Sequence, residues 1–210
     1  MKEMYKVYKA EINKKNKVLL VTLIIFILGL IFGSVYITIL GNDEKTLILK
    51  KVTGFFSGSN KINFDDRILL FKNSLINNLI FFVTMWLLGL SVIGIPIILI
   101  MVFFKSFVTG FSIGSIFACY KSKGIIGILL YIFPNSIITC VFTIFLGTYS
   151  LILAIKLLLH AFGKKTLNFK GFMGKYFFIL LICILVSILC ALFEAFINPS
   201  ILNLFTNFTK

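Results

Sequence analysis

Apolar residues along the chain fall in long unbroken runs, separated by short polar and basic stretches. Val18 to Leu40 is 23 residues without a charge, enough to cross a hydrocarbon core of about 30 Å as a helix rising about 1.5 Å per residue. The run is too long for the apolar region of a signal peptide, so a retained first transmembrane helix over 18–40 is expected. Residues 1–17 are polar and end in Lys14, Lys15 and Lys17 against that span, which predicts a basic cytoplasmic tail. Residues 41–73 then form an extracytoplasmic loop. Within it Ile48, Val52, Phe55 and Phe56 recur at helical spacing, with Lys45, Lys50 and Lys51 on other faces, as in a short amphipathic helix lying on the membrane surface. Asn63 followed by Asp65 and Asp66 marks the start of the second long helix, because Asn caps free backbone N–H groups and acids favour the positive end of the helix dipole.

Two later runs are too long for one crossing. Ser74 to Phe104 holds no charge, and as a continuous helix it would be about 46 Å long. Gly94-Ile95-Pro96 is the place to break it, by a tight reversal or a sharp kink, since proline lacks a backbone donor and disfavours helix at the residue before it. Gly124 to Ile155 contains Pro134, and the same length argument asks for a half-helix or a strong kink there. Lys156 ends this run. Lys164, Lys165, Lys170 and Lys175 continue a basic, cytoplasmic stretch, and Tyr176 to Phe193 makes the last span, leaving the carboxyl terminus outside. The expected fold is all-α: a polytopic membrane bundle of about five spans with Pro- and Gly-broken helices and one amphipathic outer-loop helix, residues 74–210 packing with 18–40 as a single membrane domain. Basic residues favour this topology only slightly, 11 inside against 9 outside. Lys121 and Lys123 fall on the outer side, against the usual bias, so a six-span arrangement stays open.

Composition agrees with a bilayer as solvent: 60% of residues are hydrophobic and 13% charged, against about 25% charged in soluble domains. The net charge of +14 sits at the ends of apolar runs, where lipid head groups are the partner. Nucleic acid is not expected, because Arg67 is the only arginine and no binding motif is present. Cys119, Cys140, Cys183 and Cys190 lie within apolar stretches without metal-ligand spacing and read as small hydrophobes. His160 is the only histidine, all three aspartates lie in the outer loop, and neither GxSxG nor a phosphate loop occurs. No enzymatic activity and no cofactor are expected.

What remains is packing and two charges. Ser106, Gly110, Gly114 and Ala118 repeat every fourth residue, and Gly29 and Gly33 form a second GxxxG pair. Such lines of small side chains let another backbone approach closely, either within the chain or from a partner's helix, self-association included. Lys105 and Glu194 are the charges placed at membrane depth. They pair directly, reach separately toward polar regions, or mark an ion path.

The stretch from Asn78 to Gly114, NLIFFVTMWLLGLSVIGIPIILIMVFFKSFVTGFSIG, and the ending FEAFINP, from Phe193 to Pro199, resemble the stage II sporulation protein M family over nearly the full chain. Asn78, Gly89, Gly94, Pro96, Gly110, Gly114, Pro134 and Glu194 occupy that family's pattern, whereas Ser106 and Asn135 depart from it. The resemblance implies a membrane scaffold for forespore engulfment at the sporulation septum and engulfing membrane, with stage II sporulation proteins D and P as the peptidoglycan-cleaving partners. The rival expectation from the residues is a small transporter or channel using Glu194 and Lys105, as broken helices and intramembrane charges are common around transport sites.

Overall fold

The computed structural model describes residues 2–58, 64–129, 133–163 and 169–199. They form α1 (Lys2–Ile39), α2 (Asn42–Gly58), α3 (Phe64–Gly89), α4 (Gly94–Gly127), α5 (Phe133–Ala161) and α6 (Phe169–Leu192), the last closed by a π-helical turn over Phe193–Ile197. Among the described residues there is no strand. Five helices are long and apolar enough to cross a membrane: Lys15–Ile39, Phe64–Gly89, Gly94–Lys121, Asn135–Ala161 and Met173–Ile197. The protein is a multi-pass helical membrane protein.

Helix ends follow local chemistry, with some departures from the expected ranges. The basic tail is continuous with the first span, since α1 runs back to Lys2 through a stretch of Lys, Glu and Ala that holds no Gly or Pro to stop it. α3 opens at Phe64 with Asp65 and Asp66 in its first turn; Asn63 lies outside the described residues. α3 and α4 are separated by a tight reversal. Leu90 and Ser91 donate backbone bonds to Leu87 and Leu88, and Gly94 donates to Ser91 at 3.1 Å. Gly94 is needed for its size, because a Cβ there would lie 2.6 Å from the Leu88 carbonyl carbon. Pro96 stands in the first turn of α4, where no helical carbonyl awaits its missing N–H.

Pro134 does not kink a span. It is the second residue of α5, again in a first turn, while Gly124 belongs to the far end of α4. The second over-long run is therefore two helices, and α5 continues past Lys156 to Ala161. Lys164 and Lys165 lie outside the described residues.

The bundle has two parts joined through α5. α1 packs chiefly along α4, and α3, α5 and α6 pack on one another. Their shared core holds Phe26, Phe82, Met85, Ile98, Val102, Leu146, Leu151, Ile179 and Cys183. Gly147 lies at its middle, where an added Cβ would meet Val102 at 3.1 Å, with Met85 and Thr22 just beyond. The outer surface is apolar, with Leu20, Ile24, Phe32, Leu185 and Leu189 exposed, as lipid contact requires. Buried hydroxyls are satisfied along their own helices: Thr22 donates to the Val18 carbonyl, Thr143 to Thr139 and Ser187 to Cys183, at 2.7 to 2.9 Å. α2 rests on α4 through Val52 against Ile116.

α4 bends sharply at Lys121, whose φ of 49° and ψ of −129° break the helix. It is the only non-glycine with positive φ among the described residues. A side chain there is strained by about 1–3 kcal/mol, and Lys121 is exposed, so little packing compensates. Lys121→Gly is expected to raise the melting midpoint of the detergent-solubilised protein by a few degrees; a lowered midpoint would show that the bend is held by the lysine side chain itself.

Candidate functional site

The two lines of small residues meet each other. Gly29 faces Phe103 and Ser106, Gly33 faces Phe107 and Phe111, Gly110 faces Leu30, and Gly114 faces Ser34. The paired positions rise together along both helices, so α1 and α4 run parallel. A Cβ at Gly33 would lie 2.9 Å from the Phe107 carbonyl carbon, and one at Gly110 equally close to that of Leu30. The backbones thus approach as only glycine allows. Ser106 is accommodated because its hydroxyl turns back on α4, donating to the carbonyls of Val102 at 3.0 Å and Phe103 at 2.8 Å, while Gly29 opposite leaves it room. Tyr36 closes the seam edge-on against Phe107, with ring centroids 5.6 Å apart. Gly29, Gly33, Ser106, Gly110 and Gly114 are thus used in a contact within the chain.

Two polar clusters tie the remaining helices, one toward each end of the bundle. At the end away from α2, Trp86 and Tyr176 stack with centroids 5.4 Å apart. The Tyr176 hydroxyl donates to the Trp86 carbonyl at 2.8 Å and shares a second hydrogen bond of 2.8 Å with Ser150. Trp86 Nε1 returns a bond to the Tyr176 carbonyl at 3.3 Å. Gly89 makes room for this knot, since a Cβ there would collide with the Tyr176 hydroxyl and come within 2.9 Å of Ser150. α3, α5 and α6 are thereby linked by groups that hydrocarbon could not satisfy.

Toward the α2 end, the Glu194 carboxylate lies in the π-helical turn. Its Oε2 accepts from the Ser74 hydroxyl at 2.7 Å and from Asn135 Nδ2 at 3.0 Å, again joining α3, α5 and α6. Lys105 does not bridge to it. The ammonium donates to Asn78 Oδ1 at 3.3 Å and lies over the Phe81 ring, 5.1 Å from its centroid, and it acts on Glu194 only as a charge at longer range. Nor does Lys105 reach out to a polar surface: Asn78, buried on α3, holds it in. Asn78 serves Lys105, and Ser74 one turn away serves the carboxylate.

Ser74, Asn135, Tyr176, Ser150 and Gly147 were not singled out by sequence reasoning as site residues. For Ser74 a signal existed, because Ser74, Asn78, Phe82, Met85 and Gly89 all lie on the buried stripe of α3. Polar side chains on such a stripe have to find partners on facing helices. Asn135, Ser150 and Tyr176 carry no periodic mark of that kind. What the arrangement does chemically is cross-link: charged, amide and hydroxyl groups each hold another helix.

The family model for stage II sporulation protein M matches residues 20–199. That range takes in the α1–α4 seam, the Trp86–Tyr176 knot and the Glu194 cluster. No curated protein and no solved structure matches the chain.

Proposed function

Because the chain belongs to the stage II sporulation protein M family, a family of sporulation-related membrane proteins, we propose that it is a non-enzymatic scaffold of the engulfment machinery. In this reading it anchors and positions the peptidoglycan-degrading stage II sporulation proteins D and P at the septal and engulfing membrane. The observation that carries the reading is how the intramembrane polar groups are used. Glu194, Lys105 and Tyr176 each spend their hydrogen bonds on another helix, so the polar groups set the shape of the bundle, and a fixed shape is what a positioning role needs. The chemistry would be that of the partners.

The test is detergent co-purification of the tagged protein from sporulating cells. The two wall-cleaving proteins are expected to come with it; their absence under conditions that keep the bundle folded would overturn the scaffold reading. A transport reading rests on the same two intramembrane charges, and substrate-dependent flux into liposomes would favour it.

The orientation proposed is a cytoplasmic amino terminus with α2 outside. Cysteines placed at Thr46 on α2 and at Phe162 after α5, both exposed, separate the two sides when the four native cysteines are replaced by alanine. On intact cells an impermeant maleimide is expected to label the first and spare the second; the reverse pattern would invert the topology.

A further inference from the structure

We infer that the open side of the α3–α4 pair is the docking face for another protein's transmembrane helix, one that carries an Asp or Glu at mid-depth. Asn77, Phe81 and Thr84 follow one another at spacings of four and three residues, so they share one face of α3. Asn77 and Thr84 are exposed there, and neither makes a side-chain hydrogen bond among the described residues. Lys105 reaches across from α4 to the middle of this face, its ammonium 5.1 Å from the centroid of the Phe81 ring. It is only partly buried. An ammonium has several N–H donors, and Asn78 takes one at 3.3 Å; no other acceptor meets it among the described residues.

These groups stand inside the hydrocarbon. Asn77 and Lys105 are each about 17–18 Å along their helices from the reversal that α3 and α4 share, in a core about 30 Å thick. Lipid head groups do not reach that level, and an exposed amide there lacks the partner it has in water. Thr84 is left open in the same way: Thr109, Thr139, Thr143 and Thr148 turn their hydroxyls back onto their own helices, and Thr84 does not. Polar groups in a span ordinarily face the bundle interior, so a set that faces out marks a place where another helix completes it.

Charge decides what that helix carries. Lys105 is positive, Asn77 and Thr84 offer donors on the same face, and a carboxylate accepts from all of these without bringing a donor of its own. A second copy of this chain fits badly, because it brings another lysine to the same level while its Glu194 is held by Ser74 and Asn135. The rim is apolar, with Ile80 on α3 and Phe104 and Val108 on α4 exposed, which suits a helix that already lies in lipid. The inference goes beyond the scaffold reading, which names partners and not the face that takes them, and it holds for any membrane partner of this chemistry.

The experiment places the full-length protein, with a donor fluorophore on an amino-terminal tag, in liposomes of neutral phosphatidylcholine. The probe is an acceptor-labelled leucine–alanine peptide of about 20 residues with one central Asp, compared with twins that carry Leu or Lys there. Saturable energy transfer is expected for the Asp peptide, roughly tenfold tighter than for the Leu twin, and weakest for the Lys twin. Asn77→Leu and Thr84→Val put apolar side chains at exposed positions in the span, so the melting midpoint should hold while affinity for the Asp peptide falls several-fold. Lys105→Met should erase the preference for Asp over Leu. Because it also leaves Asn78 without its partner, the two outward-facing variants carry the test if that protein does not fold. Equal transfer to the Asp and Leu peptides would overturn the inference and leave the scaffold reading, tested by co-purification, untouched. A preference for Asp that survives all three substitutions would place the contact elsewhere and overturn it too. Energy transfer between two labelled copies that is lost in Asn77→Leu would make a second copy the occupant, which also overturns it.

Discussion

Gly110→Leu is expected to leave roughly a tenth or less of the wild-type yield of folded, monodisperse protein in detergent, because the loss of several kcal/mol exceeds what a marginally stable bundle can spare. The reason is positional. A Cβ alone at this site would come within 2.9 Å of the Leu30 carbonyl carbon, and backbone cannot swing aside as a side chain can. Leucine adds three more carbons to that collision. In a bilayer the apolar effect gives little back for separating two helices, since lipid tails solvate them as well as their partner does, so close packing carries most of the association. Leu99→Ile is the matched control: Leu99 packs against the core only partly buried, and a volume-conserving exchange costs less than about 1.5 kcal/mol. Size-exclusion profiles of the two variants decide the matter, and a normal peak for Gly110→Leu would show that the seam yields more than its geometry allows.

The second large effect is at Glu194. Glu194→Ala should reduce recovery of the partner complex several-fold, because it strips the acceptor from both Ser74 and Asn135, and each buried polar group left unpaired costs about 1–3 kcal/mol. Asn135 suffers most, having lost its one committed donor bond while its carbonyl stays unpartnered among the described residues. Glu194→Gln keeps an oxygen that can accept from the same two donors, with the weakening expected when charge assistance is lost. Recovery close to wild type is expected for this variant. If the two substitutions prove equally damaging, the charge itself is what matters, and the transport reading gains.

How far residues alone reveal this architecture depends on the kind of signal each part leaves. Gly94 and Pro96 announce the α3–α4 reversal because their restrictions are local and act whatever surrounds them. The five crossings follow from run length. Pro134 leaves a weaker signal: a proline in an over-long run says that a helix is interrupted, and it does not say whether the interruption bends one span or separates two. The stripes at Gly29–Gly33 and Ser106–Gly114 are visible as spacing, yet that they meet each other is a choice among all possible helix pairs, which no local pattern records. The polar partners were hardest, since Lys105 and Glu194 stand out by charge while Ser74 and Asn135 are ordinary residues until a facing helix gives them a role.

The parallel seam also sets an order of events during synthesis. α1 and α4 lie side by side in the finished protein, but the ribosome makes their contacting residues roughly 80 positions apart, which at about 5–20 residues per second is an interval of about 4–16 s. Throughout that time the first helix lacks the partner that Gly29 and Gly33 fit, and α3 is made before it. Assembly of the first helix is therefore post-insertional, and any neighbouring membrane helix with a small-residue stripe is a competitor during that window.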